Sequence, residues 1–153
     1  MKPESEEQLL FAFFNEIGII AQLGRAQFER VLPHGLKISQ FSVLNHFVRL
    51  ERDSTPARLA RNFQVTKGAM TNTLGRLHAL GFVDISPDPR DGRGKRVRIT
   101  CAGRAAHAAC VQSITPGLTE LASTFAPEQF RAALPLLQSL RAYLDGARDR
   151  FDD

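Results

Sequence analysis

The sequence is poor in cysteine, with only Cys101 and Cys110 in 153 residues. Both lie on one predicted helix, where their separation corresponds to about 13 Å at 1.5 Å rise per residue. A disulfide needs Cα atoms within about 7 Å, so the two thiols cannot pair while that helix is intact. We therefore expect two small packing residues. A redox-sensing role stays open for Cys101, because reactive thiolates occur near helix N-termini.

The motifs of common enzyme and metal-binding classes are absent. The four histidines show no metal-ligand spacing, and there is no Cys-x-x-Cys pair. No glycine-rich phosphate loop precedes a predicted helix, and no nucleophile elbow occurs. We therefore predict that the protein is not an enzyme and that it needs no cofactor or metal.

No run of apolar residues approaches the roughly 18 that a membrane span requires. The first residues, MKPESEEQ, are acidic and polar, unlike a secretory signal. We therefore expect a cytoplasmic protein without a membrane partner.

The charge of the chain is unevenly distributed. From Arg49 to Arg104 there are 12 basic and 5 acidic residues, whereas the rest of the chain carries 8 basic and 11 acidic residues. A basic centre between acidic ends suits a polyanion that binds at the middle of the chain.

The basic centre contains signals for two short helices. Thr55, followed by a proline, is typical of an N-cap and predicts a helix over 56–62. Thr66 predicts the cap of a second helix that extends to Leu80, and Gly81 supplies a left-handed stop.

The second helix has two contrasting faces. At about 100° per residue one side of this helix, which we expect to pack inward, carries Met70, Thr73, Leu74, Leu77 and Gly81. The opposite face is small and uncharged, with one basic residue at each margin: Gly68, Thr71, Asn72, Gly75 and Ala79, flanked by Lys67 and Arg76. Each helical glycine costs about 1 kcal/mol relative to alanine. That cost favours a face approached closely by a DNA groove, and the alternative is a weak, partly frayed helix.

A hairpin follows this helix. Extended runs at 82–85 and 96–99 predict its two strands, and the Asp-Gly between them marks the turn. The tip carries four basic residues: Arg90, Arg93, Lys95 and Arg96. A plain hairpin tip is the alternative, but we predict that Arg93 enters a DNA minor groove. Asp91 is predicted to orient an arginine through a charge-assisted hydrogen bond. Helix, turn, helix and a two-stranded wing form a DNA-binding unit.

These segments resemble a known family. Asp-x-Arg-Asp-x-Arg over 88–93, followed by a strand and by Ile-Thr-x-x-Gly over 99–103, resembles the wing signature of the MarR family of bacterial regulators. The segment 65–77 resembles its recognition helix, and 36–44 resembles the preceding helix. Many members carry arginine after the recognition-helix threonine, where this chain has Asn72, a residue that can bond bidentately to adenine.

The resemblance implies a transcriptional regulator, usually a repressor, that is released from DNA by a small-molecule effector or by oxidation. It implies an effector between the dimer helices and the DNA-binding lobe, near Phe28, His46 or Phe47. No residue pattern identifies that ligand.

The helices predicted at both ends of the chain carry more apolar side chains than a single copy of the chain needs for its core. Ser5 predicts the cap of a first helix that runs to about Leu32 with apolar residues on several sides, and the last helix starts near Pro127. We predict that an N-terminal helix over 1–32 and C-terminal helices over 105–153 pair two copies, around a DNA-binding lobe over 33–104.

Further boundaries follow from single residues. Ser39 predicts the cap of the helix after the break at 33–35. The polar link before Thr55 predicts a short strand beside the wing. Pro116 predicts a kink or break near Ser113, and Pro135 predicts a bend or a new start in the last helix.

The sequence therefore predicts a mostly α protein with a small β-hairpin wing, a winged helix-turn-helix that binds double-stranded DNA as a homodimer. The predicted contacts are Lys67, Gly68, Thr71, Asn72 and Arg76 in the major groove, with Arg90, Asp91, Arg93 and Lys95 in the wing. The alternative is a winged-helix protein-interaction module that does not bind DNA.

Overall fold

The computed structural model describes residues 5–148. Its elements, in chain order, are α1 (Glu6–Val31), a 3-10 turn (Pro33–Gly35), α2 (Ile38–Leu50), α3 (Pro56–Phe63), α4 (Lys67–Ala79), β1 (Val83–Pro87), β2 (Lys95–Ile99), α5 (Cys101–Thr124) and α6 (Pro127–Arg148). This mostly helical chain with one antiparallel hairpin confirms the predicted fold class. The outer ends of the predicted ranges 1–32 and 105–153 lie outside the described residues.

The chain divides into two compact units, Met1–Ile114 and Thr115–Asp153. In the first unit a single core joins α2, α4, the hairpin and the start of α5. The predicted inner face of α4 is buried in this core, as are three residues of α2: Met70, Leu74 and Leu77, with Val43, Leu44 and Phe47. The wheel prediction for α4 is confirmed at Met70, Leu74 and Leu77, and burial of these large side chains is the main stabilising contribution. It was wrong at Gly81, which lies beyond the helix end and is exposed, and Thr73 is only half-buried.

The helix starts between residues 33 and 80 follow the predicted capping residues, with one exception. Thr55 Oγ1 accepts the Arg58 N–H at 3.2 Å, and Thr66 Oγ1 accepts the Ala69 N–H at 3.1 Å. Each threonine thereby satisfies a backbone donor that the first turn leaves without a helical partner. At the start of the chain, Ser5 forms the predicted capping box with Gln8.

The exception is α2, where the prediction that Ser39 is the cap was wrong. The N-cap is Lys37, whose N–H donates to Gln40 Oε1 at 2.9 Å. The Ile38 N–H donates to Glu29 Oε1, from α1, at 3.0 Å. Because these two side chains already satisfy the first donors, the helix begins before Ser39 without a hydroxyl cap.

The two internal prolines do not end their helices. Helix α5 continues through Pro116 and α6 continues through Pro135, so a break and a new start were wrong, whereas the kink and the bend that we gave as alternatives stay predictions. A proline removes one backbone hydrogen bond, and here the neighbouring turns keep their helical conformation on both sides.

The hairpin is antiparallel, and its register pairs Val83 with Ile99 and Pro87 with Lys95. A third segment joins it, because Ser54 forms a β-bridge with Val97. The predicted strand contact of the link before α3 is thus confirmed at one residue.

No residue of helix α1 is fully buried within the chain. Its exposed large apolar residues are Leu9, Leu10, Phe11, Phe14, Ile19, Ile20, Leu23 and Val31. By length and a mean hydropathy of 1.3 over 18 residues, α1 is also the one helix among the described residues that could cross a membrane. One such helix is weak support for a span, because an apolar helix that packs against another protein surface passes the same test.

Candidate nucleic-acid interface

The outer face of α4 is exposed along its whole length. Lys67, Gly68, Thr71, Asn72 and Arg76 are all accessible to solvent. A Cβ atom built on Gly68 or on Gly75 would have no neighbour within 4 Å. The helix packing therefore gives no reason for either glycine, and the open space in front of them can admit another molecule.

The turn between α3 and α4 presents this face. Gln64 adopts a left-handed conformation with φ 52°, and its N–H donates to the Arg61 carbonyl at 3.2 Å. The Val65 N–H donates to the Ala60 carbonyl at 3.0 Å. These bonds close the end of α3, so that Thr66 can start α4 directly afterwards.

The wing tip is held by two aspartates. Asp88 Oδ1 accepts the Arg90 N–H at 3.0 Å, and Asp91 Oδ1 accepts the Arg93 N–H at 3.1 Å. Across the turn, the Gly94 N–H donates to the Asp91 carbonyl at 2.9 Å. These side chains act as local turn acceptors, which is the usual role of aspartate in tight turns.

The predicted role of Asp91 therefore differs from what the structure shows. Among the ion pairs of residues 5–148, none joins Asp91 to an arginine side chain. The carboxylate instead fixes the backbone of the residue that carries the Arg93 guanidinium. It orients the tip through the main chain, because the adjacent N–H lies nearer than any guanidinium.

A groove of about 440 Å³ lies between α4, the start of α3 and the wing tip. It brings Lys67 and Thr71 of α4 together with Asp91, Arg93 and Lys95 of the wing. Five of the nine predicted site residues therefore share one concave surface, although up to 28 positions separate them in the chain.

The other four predicted residues lie outside this groove. Gly68 and Asn72 lie on the outer face of α4, and Arg90 lies at the exposed tip. Arg76 reaches the other margin of α4, since its Nη2 lies 3.7 Å from the position of a Cβ on Gly35. Its guanidinium thus lies beside the turn that precedes α2.

A second groove, of about 420 Å³, lies between the end of α4 and the hairpin. It is lined by His78 and by wing residues that include Ile85 and Arg93. His78 Nδ1 lies 3.1 Å from the Val83 carbonyl, which ties the end of α4 to the first strand. No motif in the sequence predicts this contact.

The junction between the wing and α5 explains the Ile-Thr-x-x-Gly motif. Thr100 Oγ1 donates to the Gly81 carbonyl at 2.6 Å and accepts the Gly103 N–H at 3.0 Å. Gly103 is buried, and a Cβ there would lie 2.0 Å from the Phe82 carbonyl oxygen. Only glycine allows α5 to approach the Phe82 backbone, directly before β1, this closely.

The packing prediction is confirmed for Cys110 and is wrong for Cys101. Both are free and lie on α5, with Cys101 exposed and Cys110 buried. Burial raises the pKa of the Cys110 thiol, which keeps it protonated and unreactive. Among the described residues, no group of three or more histidine, cysteine or acidic side chains could hold a metal ion.

Sequence reasoning missed one polar cluster at the base of the wing. Asp53 accepts from Arg98 Nη2 at 3.0 Å and from Arg98 Nε at 3.2 Å, and it lies 3.6 Å from Arg96 Nε. These contacts raise the pKa of the Arg98 guanidinium above its ordinary value. The only available signal was an alternation of arginines on β2, because Asp53 lies 45 positions earlier in the chain.

Comparison with known proteins identifies the family that this chain resembles. A protein-family model described as MarR family matches residues 34–94. The Multiple antibiotic resistance protein MarR of Escherichia coli (strain K12) is 33% identical over 109 residues, which cover 66% of this chain and 75% of that protein. The chain belongs to the MarR family. It is accordingly a transcriptional regulator of the MarR family, whose members are not enzymes.

Another relative and two solved structures extend the comparison. The Transcriptional activatory protein BadR of Rhodopseudomonas palustris is 29% identical over 105 residues, which cover 67% of this chain and 58% of that protein. A mutant MarR from E. coli complexed with operator DNA has a TM-score of 0.70 at 27% identity, and the match covers 89% of this chain and 98% of that chain. BldR from Sulfolobus solfataricus has a TM-score of 0.75 at 24% identity over 88% of this chain and 98% of its own, which shows the shared fold alone.

Proposed function

We propose that this MarR-family regulator binds double-stranded DNA in a sequence-specific manner as a homodimer and represses transcription. The observation that carries the proposal is the exposed, uncharged face of α4 beside a basic wing tip. A recognition helix needs side chains small enough to reach base edges, and the flanking cations supply the attraction to phosphates. The MarR structure with operator DNA adds support, because its chain matches this fold almost completely.

In this proposal α4 enters the major groove. Gly68 lets the backbone approach the groove floor, and Thr71 and Asn72 reach the base edges. Lys67 and Arg76 lie at opposite margins of the helix, where the two phosphate backbones of the groove pass. Asn72 is the residue that we expect to contribute most to sequence preference, since its amide can bond bidentately to adenine.

The wing enters the adjacent minor groove. Arg93 is inserted there, because the narrow minor groove concentrates negative potential. Arg90 and Lys95 neutralise the neighbouring phosphates, and Asp91 holds the Arg93 backbone in the turn. The groove of about 440 Å³ lies between the two reading elements, where the DNA backbone crosses from one groove to the next.

Two copies are proposed to pair through the terminal helices of 1–32 and 105–153, with the DNA-binding lobe over 33–104. Support comes from the large apolar residues that α1 leaves exposed and from a second exposed set on α6: Phe130, Leu134, Leu136, Leu137 and Leu144. A symmetric dimer places its recognition helices about 34 Å apart, in successive major grooves. Sedimentation at several protein concentrations tests this point, and a monomer at every concentration would contradict it.

The direction of regulation and its trigger follow from the family by analogy. Repression released by a small-molecule effector is the proposed mode, with a cytoplasmic location and no membrane partner. The relative named as an activatory protein defines the second mode. A reporter fused to the gene's own promoter separates the two, because deletion of the regulator raises a repressed signal and lowers an activated one.

The DNA proposal is tested by fluorescence anisotropy with a duplex from the upstream region of the gene. Arg93→Ala should weaken binding and reduce the slope of log affinity against log salt by about 0.9, the loss of one phosphate neutralisation. Arg131→Ala is the matched control, since Arg131 is an exposed α6 arginine paired with Glu128. It removes the same charge outside the basic centre and should leave the slope unchanged.

Asn72→Ala should relax the preference at particular base pairs, whereas a uniform loss on all sequences would assign Asn72 to phosphate contact. The competing function, a winged-helix protein-interaction module, predicts no salt-dependent affinity for any duplex. That result with the wild-type protein would remove the DNA-binding proposal.

A further inference from the structure

One carboxylate at the base of the wing contacts two arginines. Asp53, in the link between α2 and α3, accepts from Arg98 Nε at 3.3 and 3.2 Å and from Arg98 Nη2 at 3.0 Å. It also lies 3.6 Å from Arg96 Nε. Bidentate contact of this kind fixes a guanidinium in direction as well as in distance, because the fork and the carboxylate are both planar.

The backbone beside Asp53 is bonded to the same strand. The Ser54 N–H donates to the Val97 carbonyl at 3.0 Å, and the Val97 N–H donates to the Ser54 carbonyl at 2.8 Å. Strand β2 is therefore paired on both edges, by β1 and by this link. Thr55 follows directly as the N-cap of α3, so the wing base is attached to the start of the helix-turn-helix.

Both arginines lie on one face of β2. Arg96 and Arg98 are two residues apart, whereas Val97 between them is buried on the other face. The side chain of Arg98 is 65% exposed and that of Arg96 is 37% exposed, so both would be available to an external anion if Asp53 did not hold them. Asp84, opposite Arg98 on β1, is the other acidic residue acting on Arg98.

Solvent reaches the arginine side of this cluster, since Arg98 is 65% exposed against 25% for Asp53, and the resulting screening reduces what the ion pair contributes to the free energy of folding. Asp53 would have a larger effect on the affinity for DNA than on the free energy of folding. Each arginine released to a phosphate adds about 0.9 to the salt slope and strengthens binding to every sequence alike.

We propose that Asp53 is a positioning residue for DNA selectivity: it fixes the wing against the helix-turn-helix and withholds Arg96 and Arg98 from phosphates. The inference rests on the proposed DNA-binding function. Selectivity is the ratio of specific to non-specific affinity, so a residue that suppresses non-specific contacts raises that ratio.

The test compares the wild-type protein with Asp53→Asn, which keeps the shape of the side chain and removes its charge. Affinity is measured by anisotropy on the upstream duplex and on an unrelated duplex of equal length, between about 50 and 200 mM salt. For Asp53→Asn we expect the affinity for the unrelated duplex to rise about threefold at the lower salt, with a slope steeper by about 0.9 to 1.8. Affinity for the upstream duplex should fall about threefold, because a mobile wing no longer places Arg93 correctly, so the selectivity ratio falls about tenfold.

Two further variants identify the cause. Asp84→Asn removes the same charge from the same face without releasing the arginines, so it should change the slope by less than half as much. Asp53→Asn combined with Arg98→Ala should return the slope toward that of the wild type, because the released group is gone. Equal effects of Asp84→Asn and Asp53→Asn would assign the change to net charge and overturn the proposal.

Hydrogen exchange at the Val97 amide provides a readout of wing position. This N–H is bonded to Ser54, and its exchange should accelerate in Asp53→Asn while core amides such as that of Leu74 keep their rates. Loss of affinity for both duplexes by one common factor would show only a reduced folded fraction and would refute the inference. If the wild-type protein binds DNA and Asp53→Asn leaves the selectivity ratio unchanged, this inference alone is refuted. If the wild-type protein does not bind DNA, the proposed function is refuted as well.

Discussion

Replacement of Gly103 by alanine tests how closely α5 approaches the Phe82 backbone, between α4 and β1. The added Cβ would lie 2.0 Å from the Phe82 carbonyl oxygen, 2.9 Å from the Phe82 carbonyl carbon and 2.8 Å from Ile99 Cγ1. A carbon–oxygen contact requires about 3.3 Å, so the backbone must shift by about 1.3 Å. The Ile99 side chain can rotate away, but a backbone carbonyl cannot.

The magnitude follows from three contributions. Overpacking of this kind costs about 1–3 kcal/mol. The shifted Phe82 carbonyl also accepts the Thr100 N–H at 3.1 Å, and weakening that bond costs about 1 kcal/mol. Alanine returns about 1 kcal/mol through its higher helix propensity. We therefore expect Gly103→Ala to lower the free energy of unfolding by about 2 kcal/mol, or the Tm by about 4–8 °C for a chain of this size.

The assay is thermal and urea unfolding followed by circular dichroism, with all variants at one protomer concentration, since an oligomer's stability depends on concentration. Gly75→Ala is the matched control, because it makes the same exchange on a helix where the Cβ has no neighbour within 4 Å. It should raise stability by up to about 1 kcal/mol. If Gly103→Ala were as stable as Gly75→Ala, the close packing of α5 on Phe82 would be refuted.

Gly75→Ala should also weaken binding to the upstream duplex despite its higher stability, because the added methyl group occupies space in front of the exposed face of α4. Unchanged affinity in anisotropy titrations would show that DNA does not approach this face at Gly75. Ser54→Ala should raise the free energy of unfolding by about 1 kcal/mol in urea melts, because the Ser54 hydroxyl is buried without a hydrogen-bond partner among the described residues; a loss of stability would reveal a partner. Burial, then the charges of Arg49 and Arg52, lower the pKa of His46 below 6.5. The folded state therefore disfavours protonated His46, so the free energy of unfolding should fall as the pH drops from 6.5 toward the folded-state pKa of His46, with no effect above pH 6.5. His46→Gln should reduce this fall, as measured by urea midpoints at each pH. An identical pH profile in the variant would contradict the assignment.

The local part of this fold was predictable from sequence, because its signals act within one or two turns of helix. Thr55 and Thr66 cap α3 and α4 as expected, and the two faces of α4 separate at the predicted residues. The start of α2 was missed because its deciding acceptor, Glu29, comes from another helix. A hydroxyl at Ser39 is a strong local signal, but a satisfied N–H one residue earlier makes it unnecessary.

The candidate site divides in the same way. The exposed residues of α4 and the basic wing tip follow from periodicity and turn chemistry. Which donor Asp91 accepts from, a backbone N–H or a guanidinium, depends on the geometry of the folded turn, and sequence spacing does not contain it. The pairing of Asp53 with Arg98 joins positions far apart in the chain, so it becomes visible only once the link and β2 lie side by side.

One face of α4 is buried and the other is exposed, and this separation has a consequence for sequence divergence and for engineering. Met70, Leu74 and Leu77 hold the helix in place from beneath, and Thr71 and Asn72 take no part in that packing. Substitutions at Thr71 and Asn72 should therefore change the free energy of unfolding little, so large libraries can be made at these two positions. A set of mutually orthogonal regulators could be selected from this one scaffold, each with its own target sequence and all with the same interior.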